Sequence, residues 1–218
     1  MTATVVPDDP AGRATAIDVL RGGGVVALPT DTVYGIGVAL DTPGGVERLF
    51  RAKRRPPDKG IMLLLERAAQ ADTIGVMTAP AVALAATCWP GGLTVVVRVR
   101  AGVSLPTQLT AGTSTIGLRV PAHDAPRALA AAVGPLPTTS ANVSGLPEAP
   151  DAAAILAQLG DEIDLVLDCG PAHGGPASTV VDCTGPAPTV LREGAIPLAR
   201  VIEILDRAGV PHGLRAGR

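Results

Sequence analysis

An uninterrupted apolar run in the first third of the chain limits the folds that this sequence can adopt. Residues Gly60–Leu65 contain no polar side chain, and they follow two prolines at positions 56 and 57 that end the preceding helical pattern. A short run of this kind, without alternation, is typical of a strand that is buried on both faces. The run therefore predicts a sheet that is covered on both sides.

Helical and extended patterns alternate along the rest of the chain. Helices are predicted at residues 11–21, 43–55 (with Thr42 as N-cap and Pro43 at the first helical position), 80–87, 125–133, 151–159 and 197–208. Strands are predicted at residues 25–28, 60–65, 93–99, 115–120, 136–139, 165–167, 178–181 and 189–191. Several strands are joined by links of hairpin length, which indicates an α/β fold with a mixed parallel and antiparallel sheet flanked by helices.

No long linker divides the sequence, so we expect a single domain. Residues 11–197 form its main part, and residues 198–218 add a closing helix and a frayed tail at 213–218, with no separate C-terminal module.

Charge and composition favour a small-molecule partner. The formal net charge is −2 and the pI is near 5.9, so an anion has to be met locally and not by a general positive field. Aromatic residues make up 1% of the chain, which leaves little for stacking on nucleic-acid bases and predicts an aliphatic core. The chain has three cysteines without C-x-x-C spacing, which fits a reducing cytosol. It shows no leader sequence and no apolar run of about 18 residues. We therefore expect a cytoplasmic protein without a membrane segment.

Several familiar site classes fail on spacing. Neither Lys53 nor Lys59 follows a glycine, so the chain has no Walker A loop. The triplet Gly22–Gly24 precedes a strand, whereas a dinucleotide fingerprint follows one. The three histidines, at positions 123, 173 and 212, are too far apart for a zinc motif, and no G-x-S-x-G elbow is present.

Both lysines of the chain lie in one basic segment, Lys53–Lys59, together with Arg54 and Arg55. Four positive charges within seven residues could hold an anion such as a polyphosphate. A solvated helix end, whose cations suit the negative end of the helix dipole, is the alternative interpretation.

Small hydroxyl or amide residues combine with glycine and cations in five segments that adjoin predicted strands. Ligands of α/β sheets commonly bind beyond strand ends, so these segments could line one groove, although each alone could be turn chemistry. The segments are residues 29–37 (PTDTVYGIG), 53–59, 114–119 (STIGLR), 140–145 (SANVSG), and 178–182 (STVVD) with 191–194 (LREG).

This set of segments, in this order, resembles the YrdC family, whose best-known members are threonylcarbamoyl-AMP synthases. The most specific matches are residues 29–37, the lysine-x-arginine at Lys53–Arg55, the triplet Ser140–Asn142 and residues 178–182. The similarity runs over about residues 11–197, and the length corresponds to the short form of the family. It implies a twisted mixed sheet with a central concave groove.

The resemblance implies a two-step reaction. Bicarbonate or carbon dioxide joins the amino group of L-threonine, and the carbamate attacks the α-phosphorus of ATP to give threonylcarbamoyl-AMP and pyrophosphate. Magnesium would accompany ATP, with no metal site in the protein itself. The product would feed a downstream tRNA threonylcarbamoyl-transferase complex that modifies adenosine 37, and weak RNA contact is left open.

The resemblance also assigns roles to ten side chains. Arg55 and Lys53 are expected at the reacting phosphates. The residues expected to hold ATP are Arg55, Lys59, Thr115, Asn142 and Arg192. The residues expected to hold L-threonine are Thr32, Arg119, Ser140 and Ser178, with Arg119 as the clamp for its carboxylate.

Three positions leave the specificity for the amino acid less well defined. Asp31 could orient an amine or a metal-bound water, or it could act as a turn acceptor beside Thr32. Some relatives carry a histidine that contacts threonine where this chain has Leu64, and a hydroxyl residue where it has Pro150. We expect those contacts to be missing here or supplied by the backbone.

Two other functions remain open from the sequence. The first is an RNA-binding protein that uses a basic groove without catalysis. The second is a paralogue with another carbamoyl donor or acceptor, as in the YrdC-like parts of hydrogenase-maturation carbamoyltransferases. Pyrophosphate release that depends on threonine would separate the proposed enzyme from both.

Overall fold

The computed structural model of the protein describes residues 3–172 and 175–215, and His173 and the last three tail residues lie outside this range. Its strands are β1 (Thr4–Pro7), β2 (Val26–Leu28), β3 (Gly35–Gly37), β4 (Met62–Leu64), β5 (Gly75–Val76), β6 (Leu93–Val99), β7 (Thr115–Arg119), β8 (Leu136–Ser140), β9 (Leu165–Asp168), β10 (Thr179–Asp182) and β11 (Thr189–Arg192). Its α-helices are α1 (Pro10–Arg21), α2 (Gly45–Lys53), α3 (Ala71–Ile74), α4 (Ala79–Cys88), α5 (Asp124–Val133), α6 (Ala152–Leu159) and α7 (Leu198–Arg207).

In the described part of the chain, all eleven strands belong to one mixed sheet. The order is β1-β9-β2-β3-β8-β4-β7-β6-β10-β11, and β5 pairs with β6. Parallel pairing joins β1 to β9, β9 to β2, β4 to β7 and β6 to β10, whereas the other neighbours are antiparallel. The prediction of a mixed α/β sheet is therefore confirmed.

The sheet is covered on both faces, as the apolar run at residues 60–65 predicted. Neighbouring residues of β4 enter different core clusters, because successive side chains of a strand point to opposite faces. Leu63 packs with residues of α2, α4, α6 and α7, whereas Leu64 packs with residues of α1 and α5.

Among the described residues, no helix is long and apolar enough to span a membrane.

Helix α2 begins later than the sequence indicated. Thr42 was expected as N-cap and Pro43 as the first helical residue, but the N-cap is Gly44, whose φ of 77° places it in the left-handed region that favours glycine. The helix ends at Lys53, and Arg54 adopts a left-handed conformation that turns the chain away. Consequently Arg55 lies outside the helix.

Three paired strands, β1, β3 and the two-residue β5, were not predicted. Strand β1 forms an edge of the sheet beside β9, so residues before position 11 also join the sheet. Strand β3 is only three residues long and has glycine at both ends. A Cβ at Gly35 would come within 2.7 Å of Thr138 Cγ2, which shows that glycine allows β3 to pack closely against β8.

Candidate functional site

A cavity of about 400 Å³ opens beside the central strands of the sheet. Its walls come from β4, β6, β7, β8, β10 and β11 and from the segments that flank them. Seven of the ten predicted site residues line this cavity: Thr32, Arg55, Thr115, Arg119, Ser140, Ser178 and Arg192. Segments that are distant in sequence thus converge on one space.

Arg119 forms the most deeply buried charged group of the cavity wall. Its side chain is 2% exposed and makes an ion pair with Asp31 at 2.6 Å. Its Nη1 donates to Thr32 Oγ1 at 3.1 Å, and its Nε donates to the Gly91 carbonyl at 2.9 Å. Burial lowers the pKa of Arg119, and Asp31 opposes that effect. The structure thus shows Asp31 as the counter-ion of Arg119.

Arg55 and Arg192 bring two more positive charges to the same cavity. Arg55 donates from Nε to the Lys59 carbonyl at 2.8 Å and from Nη2 to the Gly60 carbonyl at 2.6 Å. Arg192 donates from Nε and Nη2 to the Ser178 carbonyl at 3.0 and 2.8 Å. Burial lowers the pKa of Arg55, and the nearby positive charge of Arg192 lowers it further. An anion between the two guanidinium groups would relieve this repulsion.

Hydroxyl side chains form much of the remaining polar wall. Thr32 is 4% exposed, and its hydroxyl lies 3.1 Å from that of Thr30 as well as from Arg119 Nη1. Ser178 is 1% exposed, and its hydroxyl lies 2.9 Å from that of Thr94. Thr115 hydrogen-bonds through its hydroxyl to that of Thr113 at 2.8 Å. These neutral groups can orient a ligand without adding charge.

Lys53 does not line the cavity, contrary to its expected place at the phosphates. Its side chain is buried, and Nζ lies within hydrogen-bond distance of four oxygens: Ser140 O and Oγ at 2.7 and 3.1 Å, and Asn142 O and Oδ1 at 3.0 and 2.9 Å. Burial lowers the pKa of Lys53 to about 8, and the charge of Arg55 contributes to the shift. The ammonium therefore holds the segment from Ser140, the last residue of β8, to Asn142, which we call the Ser140 loop.

Asn142 and Lys59 are also absent from the cavity wall. The amide of Asn142 is fully engaged: Oδ1 accepts from Lys53 and Ser140, and Nδ2 donates to the carbonyls of Val143 and Leu146 at 3.1 and 2.7 Å. The side chain of Lys59 is exposed, and its backbone carbonyl anchors Arg55. In this conformation both residues support the site from outside it.

Leu64 proves to be a core residue. It is fully buried in the cluster beneath α1 and α5 and does not line the cavity. The choice of amino acid therefore has to rest on other side chains.

Several residues of the wall were not anticipated from the sequence. Thr94, Thr138 and Thr139 lie within strands, where threonine is a common β-former and gives no functional signal. Glu148 is the only acidic side chain among the described residues that line the cavity, against three arginines. Within residues 3–172 and 175–215, no group of three or more His, Cys, Asp and Glu could hold a metal ion.

Known proteins resemble this chain in sequence over most of its length. The Sua5/YciO/YrdC family, described as telomere recombination, matches residues 18–194. A relative from Mycobacterium leprae is 40% identical over 202 residues, which cover 91% of this chain and 90% of the relative. The threonylcarbamoyl-AMP synthase of Bacillus subtilis is 33% identical over 203 residues, which cover 92% of this chain and 58% of that protein.

A solved structure has the same architecture. The crystal structure of Pyrococcus abyssi Sua5 complexed with L-threonine superposes with a TM-score of 0.84 at 31% identity. The match covers 94% of this chain and 60% of that chain, so this chain spans about three fifths of that relative's length. Fold and sequence together show that the chain belongs to the Sua5/YciO/YrdC family.

Proposed function

We propose that this protein synthesises L-threonylcarbamoyl-AMP from ATP, L-threonine and bicarbonate and releases pyrophosphate. The observation that carries the proposal is the convergence of Arg55, Arg119 and Arg192 with hydroxyl side chains on one cavity. Several relatives bear the name of this synthase, which supports the same activity. A solved relative was crystallised with L-threonine.

The chemistry requires alignment more than a nucleophilic side chain. The amino nitrogen of threonine bonds to the carbon of bicarbonate, and water leaves as the carbamate forms. A carbamate oxygen then bonds to the α-phosphorus of ATP, and the bond from that phosphorus to the bridging oxygen breaks to release pyrophosphate. Such a transfer depends mainly on orientation and on neutralising charge at the phosphate oxygens.

The arginines of the cavity fit this division of labour. Arg55 and Arg192, which repel each other in the free protein, would bind the phosphates, and Thr115 would contact the nucleotide. Magnesium would arrive with ATP and help to neutralise the triphosphate. Lys59, which is exposed and adjoins the cavity-lining residue Gly60, would add its charge to the same phosphates.

The part of the cavity around Arg119 would hold threonine. Arg119 retains N–H groups beyond its bonds to Asp31, Thr32 and Gly91, and these could reach a carboxylate. Thr32, Ser140 and Ser178 would bind the remaining polar atoms. Lys53 and Asn142 would act as positioning residues, because they hold the Ser140 loop and do not line the cavity.

The product would serve a tRNA threonylcarbamoyl-transferase complex, and a cytoplasmic location would suit that use. The proposal is tested by incubating the protein with ATP, magnesium, bicarbonate and single amino acids while pyrophosphate is measured. We expect release that needs L-threonine, together with threonylcarbamoyl-AMP in the mass spectrum. Pyrophosphate release that ignores threonine would reject the substrate. Tight binding of bare RNA without any nucleotide turnover would favour a binding protein instead.

A further inference from the structure

Two buried hydroxyl groups on the cavity wall, those of Thr94 and Ser178, have two protons but only one good hydrogen-bond acceptor for them within the described residues. Thr94 is 3% exposed and Ser178 is 1% exposed, and their hydroxyl oxygens are 2.9 Å apart. Both residues line the cavity. Arg192 Nη2 donates to Ser178 Oγ at 3.2 Å, so that Ser178 already accepts one hydrogen bond.

The two hydroxyl protons of this pair can be followed in either direction. If Ser178 donates to Thr94, the proton of Thr94 is left with Met62 Sδ at 3.3 Å, and a thioether is a weak acceptor. If Thr94 donates to Ser178, the proton of Ser178 has no further acceptor among the described residues. A buried hydroxyl without a good acceptor is costly, so the arrangement favours a ligand oxygen at this point.

The pair can also accept. Each hydroxyl oxygen has two lone pairs, and when Ser178 donates to Thr94 one lone pair of Thr94 remains available. A subsite that offers one donor and one acceptor matches a hydroxyl group. It is less suited to a carboxylate, which only accepts, or to an ammonium, which only donates.

The surroundings of the pair suit the rest of a threonine side chain. Val96 and Val180 line the cavity beside Thr94, and Val180 pairs directly with Thr94 across β6 and β10. These aliphatic groups could pack against a methyl group. The methyl of Thr94 lies close to Gly117, where a Cβ would be 3.2 Å away, so the stiff β-branched side chain keeps its hydroxyl fixed.

We infer that Thr94, together with Ser178, recognises the side-chain hydroxyl of L-threonine. Thr94 is therefore a specificity-determining residue. This inference rests on the proposed function and adds a residue to it. It also accounts for how the chain can select threonine although Leu64 is a core residue outside the cavity.

The test compares L-threonine with L-2-aminobutyrate, which differs from threonine only by lacking the hydroxyl. For each protein variant, kcat/KM is measured from pyrophosphate release, and affinity for each amino acid is measured by calorimetric titration. We expect Thr94→Val to lower the threonine-to-aminobutyrate ratio roughly tenfold, because one hydrogen bond is lost and turnover of the analogue is unaffected by that bond. Thr94→Ser keeps the hydroxyl and should hold the ratio within about threefold.

Thr138→Val is the matched control. Thr138 is also buried and lines the cavity, but its hydroxyl is satisfied by the Leu136 carbonyl at 2.9 Å. We expect this variant to leave the ratio unchanged. If Thr94→Val slowed both amino acids equally, or if Thr138→Val lowered the ratio as much, Thr94 would be a structural residue and the inference would be wrong.

A second variant and the activity of the wild type separate failure of this inference from failure of the proposed function. Should Thr94→Val fail to fold, Ser178→Ala removes the other hydroxyl and is expected to lower the same ratio, and an unchanged ratio would overturn the inference. If the wild-type protein releases no pyrophosphate with L-threonine, the proposed function itself fails. If the wild type is active and the Thr94 and Ser178 variants discriminate between the two amino acids as well as the wild type does, the specificity role of Thr94 alone fails.

Discussion

Replacing Lys53 by methionine separates a structural from a catalytic role for the buried lysine. Methionine keeps the apolar stem but has no proton to donate, whereas the ammonium has three protons that four oxygens of Ser140 and Asn142 surround. Hydrogen bonds from a charged donor contribute about 1.5–3 kcal/mol each to stability. Burying the ammonium in the folded protein costs desolvation free energy, which offsets part of that sum. We expect Lys53→Met to lower the free energy of unfolding by about 3 kcal/mol.

The chain provides its own control, because its other lysine is exposed. Lys59→Met should change the free energy of unfolding by no more than about 0.5 kcal/mol. Urea unfolding can be followed by the fluorescence of Trp89, the single tryptophan, which is buried and donates from Nε1 to the Leu93 carbonyl. In thermal unfolding the loss should correspond to a Tm roughly 6–12 °C below that of the control.

The opposite result would refute this reasoning. Suppose that Lys53→Met and Lys59→Met unfolded at the same urea concentration but Lys53→Met had lost adenylation activity. The ammonium would then act on the phosphates and not on the Ser140 loop. A large loss of stability combined with a raised KM for threonine would instead support the positioning role, because the loop carries Ser140 to the cavity.

Three further predictions use the charged groups of the site. Arg55→Ala should lower the rate of pyrophosphate release roughly 10²-fold with the fold intact, and near-normal turnover would remove Arg55 from the phosphate site. Asp31→Ala strips the buried Arg119 of its carboxylate and should destabilise the protein by about 3 kcal/mol in urea unfolding; a neutral effect would show that the ion pair is dispensable. Burial lowers the pKa of Lys53 from 10.5 to about 8. At a pH between these two values, Lys53 is therefore protonated in the unfolded chain and mostly deprotonated in the folded chain. The free energy of unfolding of the wild type relative to Lys53→Met should therefore rise from about pH 8 to about pH 10, and a flat difference would contradict the shift.

Regular elements were predictable where the pattern was long and uniform. Strand Leu93–Val99, which is rich in valine, has the bounds that were predicted for it, and helix α1 begins one residue from its predicted start. Strands Thr4–Pro7 and Gly35–Gly37 escaped because each is short and owes its extended form to a neighbouring strand. A three-residue segment with two glycines carries no local signal for a strand.

The site could be predicted as a set of residues but not as a set of contacts. The basic segment correctly brought Arg55 to the cavity, yet no sequence pattern tells whether a lysine meets phosphate or carbonyl oxygens. Lys53 meets oxygens from residues 87 and 89 positions away, and Arg119 meets Asp31 across 88 positions. Such partners become known only when the sheet order is known, because β8 and β4 lie between β3, which follows Asp31, and β7, which carries Arg119.

The preference for arginine over lysine in this cavity has a geometric basis. Arg55 and Arg192 each use Nε and Nη2 on backbone carbonyls of neighbouring loops, so one edge of the guanidinium fixes its orientation. The Nη1 group of Arg192 has no partner among the described residues, and that of Arg55 has only a long contact of 3.4 Å to Thr139. A lysine is a single point charge and would have to choose between the carbonyl and the ligand, whereas an arginine can be anchored and still donate. Positive groups that are held in place before the ligand arrives lose little entropy on binding, and they stabilise charge at the reacting phosphate without reorganising.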